Sequence, residues 1–162
     1  MSPLAGAERA LDRLAYAFAL TGAAVALATG SMVVLSIGGR ALFAAPIPGD
    51  VELTQFGIAV AISLSLPWCQ ARRANIVVDF FTQKAAPRTQ RWLDAAGAWL
   101  LALMCGVLAW RSAAGAIAVH AAHETTMIIA LPMWWTYALL APGLALAALV
   151  ALVQSASDAG RA

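Results

Sequence analysis

The sequence predicts an all-α integral membrane protein, with four transmembrane helices and an amphipathic helix lying in the membrane interface between the second and the third. Three observations carry that prediction. Of the 162 residues, 62% are hydrophobic and 11% charged, with a mean hydropathy of +0.81; soluble domains carry about a quarter charged residues and about half apolar ones. Charge is also absent from four long intervals, Arg13–Arg40, Glu52–Arg72, Asp94–Arg111 and Glu124–Asp158. Finally, residues 71–81 read ARRANIVVDFF. Their apolar patch is too short to cross a bilayer and is broken by Asp79.

A crossing needs about 20 apolar residues, and the whole chain, 1–162, reads as one membrane domain. Span one covers approximately 14–37. Its apolar run continues to Gly39, well past the 7–15 residues of a cleavable signal core, so a retained span is expected. Span two, approximately 51–70, is entered through Pro48-Gly49. Asp50 and Glu52 fall in its first turn, where the helix dipole favours acids. Span three, approximately 92–111, is marked by Trp92 and Trp110, separated by ~27 Å of helix against a hydrocarbon thickness of ~30 Å. Tryptophan prefers the two rims, which places Arg111 at a rim. Span four, approximately 132–154, starts at LPMWW with Pro132 in the first turn and Trp134–Trp135 at the interface; Pro142 is expected to kink it. Between spans three and four, SAAGAIAVHAAHETTMIIAL (Ser112–Leu131) is too apolar for a free loop, and is expected to extend span three or to pack against another surface.

The segment of approximately 72–86 answers to a helix in the interface plane. On a helical wheel Ile76, Val77, Phe80 and Phe81 share one side, while Asn75, Asp79 and Gln83 share the other. Arg73 and Lys84 flank the apolar side with stems long enough to snorkel. The same pattern suits an amphipathic loop helix folded onto its own bundle. Orientation follows from the basic residues. Arg9, Arg13, Arg72, Arg73, Lys84, Arg88, Arg91 and Arg161 lie on one side of the predicted spans, and only Arg40 and Arg111 on the other. Both termini and the middle loop are therefore expected in the cytoplasm.

Chemical motifs are sparse. The basic residues are too scattered for a phosphate-tracking surface, so no nucleic-acid partner is expected. Cys69 and Cys105 lie on different spans without metal-ligand spacing and read as unreactive buried thiols. His120, His123 and Glu124 would supply part of a metal site, but no further ligand completes it. A solvated outer loop is the simpler account. Phosphate loops, nucleophile elbows and HExxH are all missing. No catalytic residue, metal or cofactor is expected. Ionisable groups buried mid-membrane mark ion pathways, and no predicted span carries one near its centre. Gly22, Ala26, Gly30, Val34 and Gly38, each four apart, suggest a close helix-contact ridge on span one. Arg40 and the pair Asp50/Glu52 meet at one face and would tie span one to span two.

These features favour an accessory subunit over an independent pump or enzyme. PGDVELTQFG opening span two, ARRANIVVDFF after it and LPMWWTYALLAPG at span four together resemble the small membrane subunit of the TRAP (tripartite ATP-independent periplasmic) transporters, the DctQ-like family. The similarity runs from about Arg13 to Val153, with Asn75 standing where the family often has histidine. The resemblance implies a subunit of a sodium-driven transporter in the bacterial inner membrane. Its partners would be the lipid bilayer, a large membrane subunit holding the sodium and substrate sites, and a periplasmic substrate-binding protein. The cargo would be an organic acid such as a dicarboxylate, keto acid or sialic acid, and the chain's length fits an unfused small subunit. Pro48, Gly49, Glu52, Arg73, Asp79, Pro132, Trp134, Tyr137, Pro142 and Gly143 match the family pattern. Arg40, Glu52, Arg73, Asp79, Phe80, Phe81, Trp134 and Tyr137 are the expected structural or partner-contact residues, with helix caps and interface anchors as the plainer roles. Two other readings stand beside this one: a self-sufficient small oligomeric carrier or channel, and the membrane anchor of a redox enzyme.

Overall fold

The computed structural model describes residues 3–74 and 87–159. They form α1 (Pro3–Phe43), α2 (Asp50–Ala71), α3 (Pro87–Ala121) and α4 (Trp134–Ala159). All four are long and apolar enough to cross a membrane. The helices outrun the expected spans because charge ends a hydrocarbon crossing without ending a helix: α1 continues past Arg40, and α3 past Trp110 and Arg111. The start of α4 needs a correction in the other direction. Pro132 is not in its first turn but pairs with Thr125 in an isolated antiparallel bridge, and the helix begins at Trp134. From residue 75 onward the predicted amphipathic segment lies outside the described residues, and Asp79, Phe80 and Phe81 lie there with it. Among the described residues there is no interfacial helix.

The helices stand in the order α1, α2, α4, α3. Among the described residues α3 contacts α4 alone, α1 contacts α2 extensively and α4 only slightly, and α2 and α4 form the middle. Large apolar side chains point outward, Val34 at 69% exposure and Phe43 at 78% among them. Lipid, not water, suits such a surface.

Small residues hold the seams. On α1 a stripe of buried and half-buried positions runs through Leu11, Ala15, Phe18, Gly22, Val25, Thr29, Met32 and Ser36. They alternate four and three apart, with a small residue at every seventh position from Ala15 to Ser36. Seven residues come back to within ~20° of the same helix face, whereas steps of four drift by about 40° each. The expected ridge therefore winds out of contact. Gly22 packs on Ala61, Leu64 and Ser65 of α2, but Gly30 and Gly38 have nothing within 4 Å, and Ala26, Gly30 and Val34 are exposed. Lower down the α1–α2 seam Thr29 sits directly on Gly57.

The α3–α4 seam follows the same rule with alanine. Ala95, Ala102, Cys105 and Ala109 are buried on α3, and Cys105 clusters with Ala147 and Ala148 of α4. Lipid tails are as apolar as leucine, so association in a bilayer depends on close packing and interhelical hydrogen bonds. Small side chains permit that approach. At the centre, Gly143 of α4 lies against the backbone of Ser63 on α2, and the Ser63 hydroxyl donates to the Leu140 carbonyl at 2.7 Å.

Candidate functional site

Polar side chains concentrate at the two ends of the helices. At the end opposite the termini, α1 and α2 are joined by a turn built around Ser36 and Asp50. The fully buried Ser36 hydroxyl donates to Asp50 Oδ2 at 2.6 Å and accepts the Ile47 amide at 3.2 Å. The other Asp50 oxygen accepts its neighbour Val51's amide at 2.8 Å. Arg40 reaches Asp50 Oδ2 at 3.4 Å, with its own side chain 64% exposed. So Asp50, not Glu52, completes the Arg40 ion pair.

Glu52 faces the α3–α4 connection instead. Its carboxylate accepts the amides of Ile128 at 3.0 Å and Ile129 at 3.3 Å. Gly49, at φ 73, gives the left-handed turn that opens α2, and Ile129 lies so near that a β-carbon there would approach it to 2.5 Å. Glycine is thus required twice, by conformation and by space.

At the same end Tyr137 lies beside Gly115, packing α4 on α3. Trp134 meets the His120 ring edge-on at 5.3 Å and the Trp135 ring at 5.8 Å. His120 and His123 have ring centroids 6.3 Å apart. Among the described residues no group of three histidine, cysteine or acidic side chains converges to hold a metal ion.

At the opposite end Gln70 and Gln154 clasp α2 to α4. Gln70 Nε2 donates to Gln154 Oε1 at 2.7 Å, and Gln154 Nε2 donates to the carbonyls of Gln70 at 3.0 Å and Ala71 at 3.2 Å. These carbonyls belong to the last turn of α2, beyond the regular ladder of bonds within the helix. Arg72 lies over the Trp68 ring at 4.3 Å, and Tyr16 of α1 meets the same ring at 5.1 Å. Arg73 adopts a left-handed φ of 51° and donates its amide to Gln70, closing the helix.

These contacts fasten helix ends to one another and bring no reactive groups together. The model of one family, described as Tripartite ATP-independent periplasmic transporters, DctQ component, matches residues 30–161. The chain belongs to that family. Searches of the curated proteins and of the solved structures returned no match. As a DctQ component it is a multi-pass membrane subunit of a transporter, from a family that is not enzymatic, and the other components of a tripartite transporter are its implied partners.

In the DctQ chain the expected residues that lie among the described ones sit at its two ends and are not gathered together. Arg40, Glu52, Trp134 and Tyr137 lie at the end away from the termini, and Arg73 at the other. Sequence reasoning did not assign Ser36, Ser63, Gln70 or Gln154. A signal existed for the glutamines: each is a polar residue ending an apolar run, and spans two and four end on the same side. The turn at Ser36 yields a test. Arg40→Ala is expected to leave thermal stability unchanged within error, since exposed ion pairs contribute little. Ser36→Ala, which strips a buried hydroxyl from the Ile47 amide, is expected to cost on the order of 1 kcal/mol in detergent unfolding measurements.

Proposed function

We propose that this DctQ component is the immobile scaffold of a sodium-driven, binding-protein-dependent importer of an organic acid, such as a dicarboxylate, keto acid or sialic acid. One observation carries the reading: no aspartate, glutamate, lysine, arginine or histidine occurs between Arg13 and Arg40, Glu52 and Arg72, Asp94 and Arg111, or Glu124 and Asp158. Moving sodium or a carboxylate across a membrane calls for polar or charged groups at mid-depth. The sodium and substrate sites then belong to the large membrane subunit, and capture of the acid belongs to the periplasmic binding protein. Contacts confined to the helix ends and to small-residue seams suit a frame of fixed shape. The imbalance of basic residues supports placing both termini on the cytoplasmic side of the inner membrane, with the segment from Arg72 to residue 86 lying along that surface.

Two measurements test this. Tagged chain extracted in mild detergent should bring down a larger multi-span membrane protein. Sodium-dependent uptake into liposomes should require that protein and the binding protein, and uptake by this chain alone would overturn the scaffold role. Replacing Phe80 and Phe81 together by aspartate should reduce recovery of the complex or seating of the chain in the membrane. Unchanged yield and uptake would remove any important role for that surface segment. Arg40, Glu52, Arg73, Asp79, Trp134 and Tyr137 are read as residues that set the frame or meet the partner.

A further inference from the structure

The connection between α3 and α4 is an unusual turn for a protein surface. Residues 125–133 read TTMIIALPM, without a single charge. Water-facing turns draw on glycine, asparagine, aspartate and serine. Here Ala130 takes the left-handed position, at φ 50. The tip is held open: Met127 is 100% exposed and Ile128 64%.

The amides of Thr126, Ile128, Ile129, Leu131 and Met133 are nonetheless paired from within the chain. Thr126 N donates to the Leu131 carbonyl at 2.9 Å, and Leu131 N donates to Thr126 Oγ1 at 3.1 Å. Met133 N donates to the Glu124 carbonyl at 3.1 Å, and Glu124 N to the Val119 carbonyl at 3.3 Å. The two amides beyond Met127 are taken by the Glu52 carboxylate. A turn in water needs no such arrangement. A turn in contact with lipid does, because no solvent is present there to accept its N–H groups.

Depth points the same way. The turn leans on Gly49 and Glu52, at the entry of α2, and leads directly into Trp134–Trp135. It lies level with the first turn of α2, at the height where tryptophans mark the headgroup region.

We infer that Met127 and Ile128 dip into the phospholipid leaflet on the side opposite the termini, and that Glu52 is the positioning residue which makes this turn compatible with lipid by accepting its amides. The occupant is the acyl–headgroup boundary of that leaflet, entered to the ~5–10 Å depth typical of interfacial anchors. Neither the family nor the scaffold reading supplies this contact, and its test does not depend on transport.

The test places the photo-crosslinking residue p-benzoylphenylalanine at position 127 of the full chain, in native membranes where every partner is present. Irradiation should yield phospholipid adducts on the chain, detected by mass spectrometry, at several times the level obtained from position 123 at the base of the turn. A crosslinked protein band in their place would assign the tip to a protein interface and overturn the proposal. Absence of any adduct would assign it to water, with the same consequence. Position 128 serves as a second probe if the first variant inserts poorly. Hydrogen exchange in phosphatidylethanolamine–phosphatidylglycerol nanodiscs addresses Glu52. Glu52→Ala should speed exchange at residues 126–129 by about tenfold while leaving residues 143–150 unchanged. Equal exchange in the two proteins would remove Glu52 from the arrangement.

Discussion

Replacing Gly143 by alanine is expected to destabilise the bundle, although alanine is the better helix former by about 1 kcal/mol. A β-carbon at this position would run into the carbonyl and hydroxyl of Ser63, and a backbone carbonyl cannot swing aside as a side-chain tip can. The helices must part where α2 and α4 cross, and the Ser63–Leu140 hydrogen bond lengthens with them. Overpacking of this kind costs about 1–3 kcal/mol, enough to outweigh the propensity gain. Thermal or denaturant unfolding in detergent measures it. The comparison variants are Gly97→Ala and Gly106→Ala on α3, where nothing lies within 4 Å; both should be neutral or slightly stabilising. Equal stability for all three would show that α2 and α4 do not approach closely at Gly143.

Gln154→Leu is expected to have the second large effect. It removes three hydrogen bonds at one end of the α2–α4 pair: one from the Gln70 side chain and two to the carbonyls closing α2. Loss of these bonds to a buried amide and to the end of α2 costs about 1–3 kcal/mol, even though leucine suits lipid better than glutamine and the Gln70 carbonyl keeps the Arg73 amide. The double variant Gln70→Leu/Gln154→Leu should recover part of that loss, since one of the groups left behind is removed as well. Unfolding of the two single variants and the double variant forms a cycle that reads the coupling directly. Additive losses would mean that the two amides act independently.

The crossings were legible because hydropathy is local. A run of apolar residues between charges declares itself without reference to any other part of the chain, and Arg40, Arg72 and Arg111 bound such runs. Helix ends were less legible, since an α-helix does not stop where lipid stops; α3 continues through SAAGAIAVHA because alanine favours helix on both sides of the rim. The α1 seam was misjudged for a related reason. With small residues throughout the span, spacing by four and spacing by seven were both available at Gly22, and only contact with α2 selects between them. Glu52 and the apolar stretch before Leu131 were each conspicuous in the sequence, but their meeting is a tertiary event between α2 and the α3–α4 connection. Arg40 faced two acids near one another in the chain; the direction in which α2 leaves Gly49 decided for Asp50.

Because the helices stand in single file, with α3 and α1 at the two flanks, the chain is a fence more than a barrel. Its four posts do not share the load evenly. Of the two posts flanked on both sides, α2 and α4, the more buried α4 should tolerate substitution least along its whole length. The outermost, α1, should accept almost any apolar replacement away from its one inward stripe. A saturation scan sorted by helix, with depth in the membrane held constant, would therefore separate into four distinct profiles, where a ring of equivalent helices would give one.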